Sequence, residues 1–408
     1  MTLPHESKFK SFFADAGWLN ARRLIAYPRI FVTLYVIAIV IVLAVSSGGV
    51  VFNKPVGTDF LMMWTSGKMV NEGRAAEAYD YKKQLEAQAT ALPWKQEAKD
   101  IPFYAWLYPP MFLCVAALLA FLPYLAALAV WQLSTLPAYL LAVRGIVKEK
   151  GAMMAALGFP GVFVNLGHGH NGFLSAGLFG GALLFMEKRP YVAGALLGLL
   201  AYKPQFGLLV PLALLAGWEW RAIVAATITV LLTAAASCRA FGIETWRAFF
   251  ESLSLTRGFI LEAGPTGWEK IQSVFAASRM LGLGVAPAYV AQAIFALAAA
   301  IVVWMAWRQK DAGLRGAALV LGTLMATPYV LDYDMVMLAL PIAFMAAIGL
   351  KDGFRRWEKI ILAAAWLLPL VSRITGKFIG VPLAPFVMGL LLWVVYRRLR
   401  PGRPLPAV

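Results

Sequence analysis

Asp59, in Gly57-Thr58-Asp59-Phe60, follows closely on the first long apolar run, Ile30 to Ser47. A carboxylate at the edge of a bilayer is costly unless it is paired or used, which makes Asp59 the first candidate for a general base. Three other groups carry chemistry. His168, His170 and Asn171 stand in Gly167-His168-Gly169-His170-Asn171, and Lys203 and Gln205 in Tyr202-Lys203-Pro204-Gln205. Tyr329, Asp332, Tyr333 and Asp334 follow Thr327-Pro328. Together they supply a proton acceptor, a cation to balance a phosphate, and imidazoles, amides and hydroxyls suited to sugar hydroxyl groups.

Each group also has a plain structural reading. Asp59 precedes a helix-compatible stretch, so its side chain is a candidate N-cap. That stretch sets Phe60, Met63 and Trp64 to rest on lipid, and an amphipathic helix of this kind would hold the carboxylate at headgroup level. Lys203 lies between two apolar half-segments and needs a counter-charge, for which a phosphate would serve; the alternative is a lysine snorkelling from a helix end. Two imidazoles spaced i, i+2 without a third ligand are weak evidence for a metal, and hydrogen bonding to sugar or phosphate is the better reading beside a simple polar turn. Asp332 and Asp334 are candidate helix caps, with the tyrosines as interfacial anchors.

The elements that must position these residues are membrane helices. Apolar residues fill 61% of 408 positions and charged residues 14%, against roughly 25% charged in a soluble domain. Thirteen apolar segments lie between residues 30 and 396, of the length expected for crossing ~30 Å of hydrocarbon or somewhat shorter. The formal charge of +16 is spread in small clusters between them and not gathered on one face, so it reads as membrane topology and no nucleic-acid partner is expected. Cys114 and Cys238 have no partner spacing, so neither a disulfide framework nor a metal site is implied, and no cofactor is expected.

One integral-membrane domain, 1–408, is expected: an all-α polytopic membrane protein. The segment 1–29 reads as cytoplasmic and the run after it as a retained anchor. The basic residues at Arg144-Lys148-Lys150, Lys188-Arg189, Arg221, Arg308-Lys310-Arg315, Arg355-Arg356-Lys359 and Arg397-Arg398-Arg400 all belong inside by the positive-inside rule. Both termini then face the cytoplasm, so an even number of segments must cross. Pro109 to Leu122 is the preferred one to fall short, as a re-entrant or half-length helix; the alternative merges 190–202 and 205–217 across Pro204. Twelve crossings result, and the polar stretches 48–107 and 241–285 become non-cytoplasmic loops. Asp59 stays on that face under either choice.

At these residues the chain resembles the polyprenol-phosphate-mannose-dependent glycosyltransferases of family 87, a group of the GT-C superfamily once classed as a domain of unknown function. The matching pieces are Asp59-Phe60 with Trp64, Tyr79-Asp80, Tyr108-Pro109-Pro110, Gly167 to Asn171, Ala193-Gly194 through Gly198, Lys203-Pro204-Gln205, Gln272-Ser273, Thr327-Pro328-Tyr329 and Tyr333-Asp334. They occur in order over about 280 residues, each short, so the weight lies on the series. The resemblance implies a GT-C-like bundle, a lipid-linked sugar donor and an acidic residue after the first span as catalytic base, here Asp59. It also implies a donor site lined by the Lys203 and His-containing segments. Many relatives carry Gln where this chain has His168.

The chemistry is consistent with that expectation. Nucleotide sugars are cytoplasmic, so transfer on the other face of a cytoplasmic (inner) membrane calls for a polyprenyl-phosphate donor that has already crossed. Its phosphate leaves, one base takes the proton of a lipid or glycan acceptor, and Asp59 is placed to be that base. Lys203, His168 and His170 would stabilise charge on the phosphate, with Tyr108, Asn171, Gln205, Tyr329 and Asp334 completing the substrate site. The competing class is a secondary transporter or flippase of lipid-linked saccharides, for which broken helices are also usual, although no internal repeat is evident. A catalytically silent scaffold is a third reading.

Overall fold

The computed structural model of the chain describes residues 8–94, 101–264 and 267–400, and these are mostly helical. After α1 (Lys8–Asp15), Asn20 caps α2 (Ala21–Val45), accepting from the Arg23 amide at 3.1 Å. At 25 residues α2 is about 37 Å long, ample for the hydrocarbon. Leu34, Ile37, Val40 and Ile41 are exposed along it, an apolar surface that only lipid would cover. A two-stranded hairpin follows, with Val50 opposite Pro55 and Val51 opposite Lys54. Phe52 and Asn53 both have positive φ in its two-residue turn, which suits the strand twist.

The chain then folds α4 (Tyr81–Ala91) and the short α5 (Leu113–Leu119) against α3 (Phe60–Asn71). Phe60, Met63 and Trp64 are buried, and the Trp64 indole donates to the Leu122 carbonyl at 2.9 Å. The expected lipid-resting helix is therefore a packed one. Aromatics at helical spacing serve either environment, and α5 and α6 (Tyr124–Ile146) cover this face.

Short helices come next: α7 (Ala152–Leu157), α8 (Pro160–His168), α9 (Gly172–Phe185), α10 (Pro190–Leu199) and α11 (Val210–Ala216). The apolar pieces on either side of Lys203 stay separate, each ending in 3-10 turns at Leu200–Tyr202 and Pro204–Gly207. Pro204 supplies no amide hydrogen, so the helix cannot run through. α10 lies along α12 (Trp220–Phe241) through Gly194 and Gly198, whose missing side chains let the backbones meet.

The 241–285 stretch is helical too, with α13 (Ile243–Leu255), a π turn at Thr256–Glu262 and α14 (Val274–Met280). The last layer is α15 (Val285–Trp307), α16 (Ala312–Ala326), a 3-10 turn at Asp332–Leu338, α17 (Ala339–Asp352), α18 (Glu358–Ile379) and α19 (Ala384–Leu399). α16 and the 332–338 turn form the centre of the core and are almost fully buried.

Among the described residues six helices are long and apolar enough to cross a membrane, and five more are apolar but span only 10–17 residues. This makes the chain an all-α, multi-pass membrane protein. At the start of α18, buried Glu358 binds Arg398 of α19 at 2.5 Å. Arg373 lies fifteen residues further on, about 22 Å along the axis, at the opposite end of the bundle, where the chemistry-bearing residues gather.

Candidate active site

Three segments far apart in sequence meet at that end. The loop before α3 is fastened to the end of α8 by backbone: the Asp59 amide donates to the His168 carbonyl at 3.0 Å. Gly169 makes the approach feasible. It ends α8 in the left-handed conformation, φ +62°, and a Cβ there would lie 2.7 Å from the Phe60 Cβ and 3.3 Å from the Gly57 Cα. The third segment is 327–334, where the Gln272 amide donates to the Val330 carbonyl at 2.7 Å and Ile271 bridges Leu331.

The side chains form two connected groups. In the first, Asp59 Oδ2 accepts from His168 Nδ1 at 2.5 Å, and Thr58 Oγ1 lies 3.0 Å from each of those atoms. His168 Nε2 is 3.9 Å from Asp332 Oδ1, and Asp332 Oδ2 accepts from Arg373 at 3.1 Å. Asp59 and His168 keep 17% and 20% side-chain exposure and Arg373 41%, so this group is open to a substrate. Asp59 precedes α3 without capping it; the carboxylate is turned to His168 instead.

The second group is sealed. Lys203 Nζ donates to Asp334 Oδ1 at 2.5 Å, with both residues at most 2% exposed, and Asp334 Oδ2 accepts from the Leu331 amide. The counter-charge that Lys203 needs comes from within the protein, and Lys203 does not snorkel. His170 pairs with the Tyr108 hydroxyl through Nε2 at 2.7 Å and stacks on Tyr333 with 3.5 Å between ring centroids. Tyr333 joins the two groups, since the His168 ring also meets it, at 5.2 Å between centroids and inclined by 63°. His170 Nδ1 and Asn171 Oδ1 are buried polar atoms without a partner.

The imidazoles, one at the end of α8 and one in the turn before α9, titrate in opposite directions. Burial pulls the His168 value down, but the Asp59 carboxylate beside it, helped by Asp332, outweighs that and raises it above the usual histidine range. Burial, then Lys203, then His168 hold His170 well below that range, so it is neutral. A carboxylate that favours the protonated form of the imidazole behind it, with a neutral stacked imidazole nearby, is an arrangement for moving a proton next to developing negative charge.

The structure thus brings together Asp59, His168, His170, Asn171, Tyr108, Lys203 and Asp334. Tyr329 lies at the edge, packed on the loop core of Leu261, Ile271 and Phe275. Gln205 is half-buried and takes no hydrogen bond to the cluster. Thr58 and Arg373 are the residues that sequence reasoning passes over. Arg373 had a signal: it ends the apolar segment that begins at the basic Arg355-Arg356-Lys359 cluster, so it is a cation at the end where the positive-inside rule expects few.

Fold and site define a helical, multi-pass membrane protein with a carboxylate–imidazole centre at one end of its bundle. The chain belongs to glycosyltransferase family 87, whose model matches residues 106–328, more than half of the 408. It is therefore a membrane glycosyltransferase. The matched stretch includes Tyr108, His168, His170, Asn171 and Lys203, whereas Asp59, Asp332, Asp334 and Arg373 lie outside it. No curated protein and no solved structure matches the chain at a significant level.

Proposed function

We propose that this glycosyltransferase moves a sugar, mannose being the first candidate, from a polyprenyl-phosphate donor to a lipid or glycan acceptor on the non-cytoplasmic face of the cytoplasmic membrane. Asp59 is the base. The observation that carries this reading is the division of its carboxylate: Oδ2 is bound by His168 and Thr58, while no described residue bonds Oδ1. That open atom is the one to take the acceptor proton.

The leaving phosphate then falls to His168 Nε2 and Arg373, which are partly exposed, and less to Lys203, which Asp334 already neutralises. His170, Asn171 and Tyr108 are buried behind the sugar side and support it through Tyr333, on which His170 stacks. Twelve passes are supported by the direction of the chain, with α8, α10 and α16 running toward the site and α9, α11 and α17 away. The short ones among them, α8 to α11 and α16, cover only part of the hydrocarbon, which suits a site reached by a lipid-borne phosphate.

The test is transfer of labelled mannose from polyprenyl-phosphate-mannose to membrane extract by purified protein. Asp59→Asn should lower transfer by about 10²- to 10⁴-fold while folding and donor binding persist. Donor turnover that survives the substitution removes Asp59 from the mechanism.

A further inference from the structure

His168 is divided as Asp59 is. Nδ1 is committed to Asp59, whereas Nε2, 3.9 Å from Asp332 Oδ1, is beyond hydrogen-bond reach of it and free to donate elsewhere. The groups facing the ring come from four elements: Asp59 and Thr58 from the loop before α3, Asp332 and Tyr333 from the 332–338 turn, Arg373 of α18 through Asp332, and His170 across Tyr333. Two carboxylates and one guanidinium leave one negative charge, which a proton on His168 cancels.

We propose that Asp59 and His168 act as an acid–base couple, in which Asp59 Oδ1 takes the acceptor's hydroxyl proton and the His168 imidazolium gives its Nε2 proton to the leaving phosphate. This rests on the phosphate-donor reading above. The acceptor oxygen bonds to the anomeric carbon, the bond from that carbon to the phosphate oxygen breaks, and its electron pair stays with the phosphate. One proton enters the couple and one leaves it. A neutral carboxyl and a neutral imidazole remain, and proton exchange through water from Oδ1 to Nε2 restores the charged pair. The lipid phosphate departs as a monoanion, so no dianion has to form in a partly desolvated site. The Asp59 carboxylate beside the ring raises the His168 titration, which favours the charged form of the acid.

Two measurements test the couple. The first needs no donor: carbon-13 NMR of histidine-labelled protein in nanodiscs, where His5, His168 and His170 are the three signals and loss of one in His168→Asn assigns it. The expected result is a His168 titration above about 6.5 that drops in Asp59→Asn. A titration at or below that value, or one indifferent to Asp59→Asn, overturns the couple.

The second is the pH profile of transfer. Wild type should lose activity on the basic side as His168 deprotonates. His168→Asn keeps a donor near the Nδ1 position but cannot titrate; it should lose about 100-fold in kcat with KM little changed, and lose the basic limb. A His168→Asn enzyme with the wild-type kcat and the same limb overturns the couple and leaves His168 a positioning residue. Wild type inactive with every polyprenyl-phosphate sugar sinks the donor reading and with it the proton transfer to phosphate, whereas a failed titration overturns the couple with the donor reading intact.

Discussion

Lys203 and Asp334 are opposite charges taken out of solvent together, and their worth is best seen by separating them. Asp334→Asn leaves an ammonium buried without a counter-ion, which should cost about 3–5 kcal/mol of stability. The paired replacement Lys203→Met with Asp334→Leu removes both charges and should recover most of that loss in thermal unfolding. If the double variant also transfers sugar, the pair is architectural; if it is stable and inactive, Lys203 contributes to binding. Asp59 and His168 make the contrasting case, because both side chains stay partly exposed.

At the scale of elements, the Asp59 loop depends on the α8–α9 turn. Gly169→Ala places a Cβ against Phe60, Leu128 and Gly57 in a backbone conformation that alanine adopts poorly. Expected effects are about 1–3 kcal/mol of stability and at least a tenfold loss of transfer, since the Asp59 amide and carboxylate are both fixed to His168. Gly167→Ala, two residues away, meets nothing within 4 Å and should behave as wild type, making the pair of variants a control for position. Along α10, Gly194→Leu would drive a side chain into the Ala222 carbonyl, 2.2 Å from the Cβ position. It should lower the unfolding temperature and shift α10, and with it Lys203. A variant with unaltered unfolding temperature would show that the α10–α12 contact is loose in the membrane.

For the whole molecule, pH acts through two histidines with opposite signs. His170 is held below its ordinary value, so its contribution is complete above about pH 6.5 and is lost as acid protonates it against burial and Lys203. His168 is held above, so its contribution is complete below about pH 6.5 and is lost as pH rises through its folded value. Unfolding in nanodiscs should therefore show a stability maximum, and His170→Asn should flatten its acid side only. Topology is tested by labelling: a cysteine at Phe52, 88% exposed at the hairpin tip, should react with an impermeant reagent from the non-cytoplasmic face, and one at Lys148 should not. The opposite pattern would invert the proposed orientation.

Much of this was legible in the chain. Class followed from composition, because burial in lipid demands long apolar runs that any window of the sequence displays. Asp59, the His168 turn and Lys203 stood out because polar groups among such runs need a reason. The environment of α3 was not legible, since Phe60, Met63 and Trp64 make the same pattern whether they meet acyl chains or α5 and α6. Nor were partners. Asp59 and His168 are 109 residues apart and Lys203 and Asp334 are 131, and no local pattern records which distant segments share one end of a bundle. By itself the sequence determined a helical membrane protein with an acid, imidazoles and a lysine to account for. Only the tertiary structure decided that the lysine is spent on Asp334, that the acid is backed by His168, and that Arg373 faces the same opening, because those pairings depend on how helices pack and not on what each contains.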